Sequence, residues 1–174
     1  CLIISRKYIR IYLILPDMYW LHINSIFWSD YSLPFDNSDE IRSMQPAVLA
    51  FMGDAVFNLF IRERLIKKRK GTSHDLHIYA TDYVKASSQA FISKNLHKLF
   101  TEEEAYIFRR GRNAKSTTVP KHAEIQDYKY ATALEAVIGF LYLTQQHDRL
   151  RYLMEQAAMI IESQEGPIRN EKEK

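Results

Sequence analysis

Cysteine, glycine, proline and long apolar runs are all scarce in this chain of 174 residues. The single cysteine, Cys1, cannot form an internal disulfide, which fits a reducing compartment, so we expect a cytoplasmic protein. Five glycines and five prolines are few, which favours long helices over a β-sandwich. No run of about eighteen apolar residues occurs, so the sequence predicts no membrane span.

Charge of either sign is present in ordinary amounts, and the balance is only mildly basic. The chain has 24 Lys and Arg residues against 21 Asp and Glu residues, for a formal net charge of +3. That balance permits a nucleic-acid partner without requiring one. The sequence also lacks internal repeats, a P-loop, a GxGxxG motif and a catalytic Ser or Cys constellation, so those enzyme classes have no support. A content of 47% hydrophobic residues is enough for one domain with a core.

What the chain does contain is an apolar segment, LAFMGDAVF at residues 49–57, with a glycine and an acid at its centre. Apolar residues recur at helical spacing through and beside this segment, which predicts a largely buried helix; they are Val48, Met52, Ala55 and Leu59, with Leu49, Val56 and Phe60 widening the same stripe. Gly53 costs such a helix roughly 1 kcal/mol relative to Ala, and a buried Asp54 carboxylate is costly unless something pairs with it. Two unfavourable residues side by side indicate a functional site. The alternative, in which Asp54 caps a neighbouring helix or pairs with an Arg, stays open at this point.

A second apolar segment, YKYATALEAVIGFLYL at residues 128–143, also carries a single acid, Glu135. No basic residue lies within one helical turn of Glu135 to neutralise its charge. If the two helices pack together, a divalent cation between Asp54 and Glu135 would relieve the cost of both charges. Mg²⁺ suits such a site, because it takes oxygen ligands, needs only one or two carboxylates and keeps several waters.

Helix signals continue along the chain and predict an all-α fold. The first predicted helix spans about 45–67, and two helices within 72–98 are separated by a break near Lys85. The next begins at the capping box Thr101–Glu104 and ends within 109–115. The last two span about 123–146 and 148–163. Ser73 is the predicted cap of the first helix within 72–98.

The sequence divides the chain into three parts. Residues 39–165 form the predicted domain, and residues 166–174 form a charged tail that we expect to be disordered. Residues 1–38 are an atypical, aromatic-rich extension, and two interpretations stand for them: a segment packed on the core, or a leader that is not natively translated. We favour the second interpretation and assign this stretch no function.

Four cations surround Gly111 and Asn113 in the segment RRGRNAK at residues 109–115, which is followed by a loop that contains Pro120. A basic loop with a glycine can approach a phosphate backbone closely, and Arg and Asn side chains add hydrogen bonds. From the residues alone, a solvated loop is an equally good interpretation.

Three segments in this order and spacing, LAFMGDAVF, RGRNAKSTTVPK and YKYATALEAVIGFLYL, resemble the catalytic domain of the ribonuclease III family. The resemblance covers roughly residues 39–163 and is closest to the small branch, Mini-ribonuclease III, in which no double-stranded-RNA-binding domain follows. It implies an all-α ribonuclease III-like helical bundle that forms a homodimer. It also implies Mg²⁺-dependent endonucleolytic cleavage of double-stranded RNA, which leaves 5′-phosphate and 3′-hydroxyl ends. The implied role is maturation of the large-subunit (23S) ribosomal RNA precursor, with a ribosomal protein as a further partner.

The same resemblance implies which residues form the site. Asp54 and Glu135 match the metal-binding catalytic pair. The implied RNA-binding residues are Arg109, Arg110, Arg112, Asn113, Lys115 and Lys121. Full-length members carry two further acids at positions that are Ala50 and Thr132 here. This difference implies a metal site with fewer protein ligands and more waters, and it leaves the number of ions open.

Two alternatives to a nuclease stay open from the sequence. The first is a non-catalytic RNA-binding or ribosome-assembly factor on the same dimeric scaffold, which the absence of acids at Ala50 and Thr132 keeps in consideration. The second is a helical protein-interaction module in which Asp54 and Glu135 pair with structural arginines. Acids that lie far apart, or that are each covered by a guanidinium, would favour the second alternative.

Overall fold

The computed structural model describes residues 38–114 and 124–164, which form helices joined by short connections. In chain order these are α1 (Ser38–Ser43), α2 (Pro46–Lys68), α3 (Ser73–Val84), α4 (Ala86–Leu96), a 3₁₀ turn (His97–Leu99), α5 (Glu102–Asn113), α6 (Ile125–Leu143) and α7 (His147–Gln164). No strand occurs in these two ranges, so the predicted all-α fold is confirmed. None of their helices is long and apolar enough to cross a membrane. Residues 1–37 and 165–174 lie outside the described ranges, so the predictions for the extension and the tail stay predictions.

Helix α2 has a sequence that explains both of its ends. Pro46 occupies the first turn, where its missing N–H would have no partner within the helix. Lys67 and Lys68 lie in the last turn, where positive charge stabilises the negative end of the helix dipole. The residues that attach α2 to the core are Leu49, Ala50, Gly53, Val56, Phe57, Ile61 and Leu65. The predicted span of about 45–67 agrees with the observed helix to within one residue at each end.

Two capping boxes start the helices α3 and α5. At α5 the Thr101 hydroxyl accepts from the Glu104 backbone N–H at 3.2 Å, and the Glu104 carboxylate accepts from the Thr101 N–H at 2.8 Å, as the sequence predicts. At α3 the box is formed by Thr72 and Asp75, so the predicted cap at Ser73 is wrong by one residue. The predicted break between α3 and α4 is confirmed.

Helix α6 is the central helix, since it contacts α1, α2, α4, α5 and α7. Its sequence is apolar on almost every side, which is the pattern of a helix surrounded by others. Its buried residues are Ala131, Ala133, Leu134, Ala136, Val137, Ile138, Gly139, Phe140 and Leu141. The helix ends at Leu143 rather than near 146, because Gln145 takes a positive φ of 58° and turns the chain into α7.

Helix α5 continues through Asn113, so the first part of the predicted basic loop is helical. Gly111 is buried on this helix, and a methyl group on it would lie 2.8 Å from the Cα of Ala133. Carbon atoms at that separation clash, so the glycine allows α5 to pack against α6. The interpretation of Gly111 as a residue that lets the chain approach a phosphate is therefore wrong, and its role is packing.

Arginine–carboxylate pairs fasten α7 to its neighbours. Arg64 of α2 donates to Glu162 of α7 at 2.8 Å, and Arg149 of α7 donates to the buried Glu104 of α5 at 2.7 Å. The hydrogen bond from Arg64 holds the pKa of Glu162 below its usual range. Both guanidiniums therefore stabilise the packing of α7 against its neighbouring helices.

Candidate active site

Helices α2 and α6 cross in backbone contact at Gly53 and Gly139. A methyl group on Gly53 would lie 1.8 Å from the carbonyl oxygen of Glu135, and one on Gly139 would lie 2.0 Å from the carbonyl oxygen of Leu49. Atoms cannot approach so closely, so only glycine fits at either position. The glycine that is unfavourable in an isolated helix is therefore required by the crossing, and it brings the next residue, Asp54, into electrostatic range of Glu135.

Asp54 and Glu135 form one electrostatically coupled pair across this crossing. Asp54 lies on the exposed side of α2, whereas Glu135 is only partly exposed. Burial and, after it, the negative charge of Asp54 raise the pKa of Glu135 to about 8. Two like charges at a half-buried position repel each other, and a cation placed between them would remove that cost.

Asp54 takes its hydrogen bonds from its own helix. The Asn58 amide donates to Asp54 Oδ1 at 2.8 Å and to the Asp54 carbonyl oxygen at 2.9 Å. Within residues 38–114 and 124–164, no Lys or Arg forms an ion pair with Asp54 or Glu135. The described residues therefore do not support the alternative in which both acids are covered by structural arginines.

Sequence reasoning missed Gln89, a residue of α4 that contacts Glu135. Gln89 is 1% exposed, and its side chain acts to lower the pKa of Glu135, against the larger effects of burial and of the Asp54 charge. Its amide oxygen, Oε1, is buried and has no hydrogen-bond partner among the described residues. The signal in the sequence is a glutamine in line with the apolar stripe of α4, whose buried residues are Gln89, Ala90, Ile92, Ser93 and Leu96.

The donor set at the crossing suits a small divalent cation. Mg²⁺ binds carboxylate oxygens, is satisfied by one or two of them, and keeps several waters. Ala50 is buried and Thr132 offers at most a hydroxyl, so these positions supply no further carboxylate. In the part of the chain that the structure describes, no group of three or more His, Cys, Asp or Glu side chains could hold an ion. The pair thus fits a thinly coordinated Mg²⁺ whose other ligands are waters or substrate oxygens.

The predicted RNA-binding residues on α5 line two separate surface depressions. Arg112 and Asn113 line the first, together with Lys129 and other residues from the start of α6. Arg109 is exposed and lines the second, where Glu103 is among its neighbours. Sequence reasoning missed the exposed Lys129, because a single lysine at the polar start of a helix is an ordinary feature. The first depression therefore has the stronger positive character.

The Arg110 side chain forms hydrogen bonds with the C-terminal end of α1. Its guanidinium donates to the backbone carbonyls of Arg42 and Met44, the latter at 2.8 Å, at the C-terminal end of α1. The last carbonyls of a helix have no partners within it, so Arg110 acts as a cap for α1. An RNA contact by Arg110 stays a prediction. Lys115 and Lys121 lie outside the described residues.

Helix α2, which carries Asp54, also exposes large apolar side chains. Val48, Phe51 and Leu59 recur along it, with exposed fractions of 51%, 81% and 40%. The sequence interpretation assigned Val48 and Leu59 to the buried stripe, so that part of the prediction is wrong. Exposed apolar stripes of this kind are typical of interaction surfaces.

Comparisons with known proteins give one consistent result. Residues 47–146 match the Ribonuclease III domain family. The chain is 44% identical over 122 residues to Mini-ribonuclease 3 of Thermoanaerobacter sp. (strain X514), covering 70% of this chain and 86% of that protein. It is 41% identical over 130 residues to Mini-ribonuclease 3 of Staphylococcus aureus (strain NCTC 8325 / PS 47), covering 72% and 97% respectively. A crystal structure of a Fusobacterium nucleatum protein is similar with a TM-score of 0.63 and 31% identity, covering 72% of this chain and 98% of that chain.

Proposed function

Because this chain belongs to the ribonuclease III family, we propose that it cleaves double-stranded RNA at a site formed by Asp54 and Glu135. The family resemblance predicted from three sequence segments is confirmed, and the endoribonuclease class is confirmed with it. The site assignment is supported by one observation above all, the electrostatic coupling of these two acids across the crossing of α2 and α6.

In this proposal, Asp54 and Glu135 hold a Mg²⁺ ion between the two helices. When bound, the ion supplies an activated water and offsets the charge that develops on the phosphate in the transition state. Asn58 fixes the orientation of Asp54 through its amide, and the contact of Gly53 with the α6 backbone sets the separation of the helices. The products carry 5′-phosphate and 3′-hydroxyl ends.

The RNA would lie along the basic surface formed by the end of α5 and the start of α6. Arg112, Asn113 and Lys129 share one depression and can grip phosphates, with Arg109 contributing from its exposed position on the same helix. Lys115 and Lys121 belong to the same proposal through their place in the sequence. The deep major groove of A-form RNA hides the base edges, so these residues would sense duplex shape and 2′-hydroxyls.

A homodimer is the second part of the proposal. The exposed stripe of Val48, Phe51 and Leu59 is apolar. It could therefore pack against the same stripe of a second copy, because a two-fold interface uses the same patch on both subunits. Pairing through this stripe would place the two acid pairs along one continuous surface. It would also remove the most exposed aromatic side chain of α2 from water, which favours association.

The cellular role is proposed from the family resemblance. We place the protein in the cytoplasm, where its substrate would be the precursor of 23S ribosomal RNA and a ribosomal protein could serve as a partner. The contrasting function is an RNA-binding factor without catalysis on the same scaffold. The observation behind that contrasting function is that Ala50 and Thr132 supply no further carboxylates, and the following experiment separates the two.

The test measures cleavage of a perfect RNA duplex by the full chain with Mg²⁺ and with EDTA. We expect cleavage that needs Mg²⁺ and leaves ends that an RNA ligase can rejoin. Asp54→Asn should retain the fold and the RNA affinity but lose cleavage, because one of the two metal ligands is gone. Asp82→Asn is the matched control, since Asp82 is an acid at 3.0 Å from Lys85 on the surface of α3. Binding without cleavage by the unaltered chain would favour the non-catalytic factor.

A further inference from the structure

We propose that Gln126 is a specificity-determining residue, whose side-chain amide binds ribose 2′-hydroxyl groups and so distinguishes RNA from DNA. The inference deepens the proposed function and rests on it, because it takes duplex RNA as the ligand. Gln126 lies in the first turn of α6 and is exposed. It lines the same depression as Arg112 and Lys129, the two cations assigned to phosphates.

The composition of this depression suits a nucleotide rather than a phosphate alone. Its volume is about 470 Å³, which lies in the range of ligand-binding clefts. Phosphates are bound by cations and by hydrogen-bond donors. The depression contains in addition an aliphatic side chain and an aromatic ring, since its lining residues are Arg112, Asn113, Ile125, Gln126, Lys129 and Tyr130. We therefore expect it to contact the sugar as well as the phosphate.

Ile125 provides the apolar part of this surface. It is the first residue of α6, and it is 62% exposed beside the two cations. Phosphate binding does not use such a side chain, whereas the apolar face of a ribose ring can pack on it and remove both surfaces from water. A sugar that packs on Ile125 would lie beside Gln126, which is the next residue in the chain.

The Gln126 amide is free to bind a hydroxyl. Its side chain forms no hydrogen bond with any other residue that the structure describes. The neighbouring amide of Asn113 differs, because its Oδ1 accepts from Arg112 Nε at 3.4 Å. An amide both donates and accepts hydrogen bonds, as a hydroxyl does, whereas a guanidinium or an ammonium only donates. Gln126 therefore matches a 2′-hydroxyl better than either cation does.

The two kinds of contact in this depression differ in what they distinguish. The cations bind phosphates, which RNA and DNA both have. The wide, shallow minor groove of A-form RNA displays 2′-hydroxyls, and these groups are what DNA lacks. A contact from Gln126 to a 2′-hydroxyl would thus add selectivity for RNA, while Arg112 and Lys129 supply affinity for any duplex.

The experiment replaces Gln126 by methionine in the full chain, which keeps the length of the side chain but removes its hydrogen bonds. Fluorescence anisotropy in EDTA measures the affinity for a perfect RNA duplex and for a duplex of the same sequence with 2′-fluoro sugars. The fluoro duplex keeps the A-form, but its fluorine donates no hydrogen bond. We expect the affinity of Gln126→Met for the RNA duplex to fall about 5-fold, the effect of one lost hydrogen bond, and its affinity for the fluoro duplex to stay unchanged.

Lys129→Met is the matched control, because Lys129 is also exposed, lines the same depression and lies three positions later on α6. It should weaken the binding of both duplexes equally and lower the slope of log affinity against log salt concentration by about 1. Gln126→Met should leave this slope unchanged. Melting temperatures verify that both variants fold, and Gln126→Ala gives the same readings in case the methionine variant does not.

Two results would overturn the specificity role while the proposed function stands, as cleavage of the RNA duplex by the unaltered chain with Mg²⁺ would show. The first is an unaltered chain that binds the RNA and fluoro duplexes equally. The second is a Gln126→Met variant that changes the affinity for neither duplex or weakens both equally. If the unaltered chain neither binds nor cleaves the RNA duplex, the proposed function is overturned and this inference with it.

Discussion

Gly53 and Gly139 face each other across the crossing of α2 and α6. A methyl group on Gly53 would lie 2.8 Å from the backbone nitrogen of Gly139, and one on Gly139 would lie 3.0 Å from the backbone nitrogen of Gly53. The two helices therefore touch through their backbones, and no side chain separates them. Because Asp54 follows the first of these glycines and Glu135 lies one turn before the second, the contact sets the geometry of the acid pair.

The first prediction concerns this contact. Gly139→Ala inserts a methyl group against the Leu49 carbonyl and must push the helices apart, so we expect a loss of about 3 kcal/mol or more in the free energy of unfolding. Urea denaturation measures the loss. Gly71→Ala is the control, because Gly71 is exposed and the atoms nearest to an added methyl group belong to the Asp75 side chain, 3.2 Å away. Equal stability of the two variants would contradict the backbone contact.

The second prediction concerns the pH dependence of stability without metal. The pKa of Glu135 rises from its ordinary value of 4.5 to about 8 in the folded protein. Between these pH values the folded state keeps a proton that the unfolded state has released, so stability falls as the pH rises through this window. Glu135→Gln cannot ionise, so its melting temperature in EDTA should exceed that of the unaltered chain by a margin that grows up to about pH 8 and then levels off.

The control for this prediction is Glu63→Gln, which removes an exposed acid from α2. Its melting temperature should follow that of the unaltered chain at every pH. If the curve of Glu135→Gln runs parallel to that of the unaltered chain as well, burial of the Glu135 charge is not a cost in the folded state.

Sequence reasoning located Asp54 and Glu135 because each acid is chemically unusual in an apolar helix. It gave no packing reason for Gly53, since the sequence of one helix shows the cost of a glycine but not the neighbouring backbone that requires it. Gln89 escaped notice because its effect on the pKa of Glu135 depends on how α4 packs against α6. Long-range contacts of this kind follow from packing, which local patterns do not encode.

The division of α2 into two apolar faces could not be predicted for a related reason. Val48 and Leu59 have the spacing of core residues, and hydrophobicity alone does not distinguish a buried face from an exposed apolar one. In contrast, the capping box at Thr101 was predictable, because both of its hydrogen bonds join residues three positions apart.

The third prediction concerns the exposed stripe on α2. Phe51→Asp places a charge at the most exposed aromatic position of the stripe, so it should convert a dimer to a monomer at micromolar concentration, because a charge in an apolar interface is not solvated. Light scattering after size-exclusion chromatography measures the mass. Met159→Asp is the control, since Met159 is 51% exposed on α7, and it should not change the mass. A monomeric unaltered chain, or a dimeric Phe51→Asp variant, would refute an interface at this stripe.

The fourth prediction separates the two arginines that lie two positions apart on α5. Arg112 lines the depression that contains Lys129, whereas Arg110 donates to carbonyls at the end of α1. Arg112→Ala should weaken duplex RNA binding and lower the slope of log affinity against log salt concentration by about 1, because one phosphate contact is lost. Arg110→Ala should instead lower the melting temperature and leave the salt slope close to that of Arg151→Ala, an exposed control on α7. Fluorescence anisotropy across a salt series measures the slopes. If the salt slope falls for Arg110→Ala and not for Arg112→Ala, the assignment of these two residues is reversed.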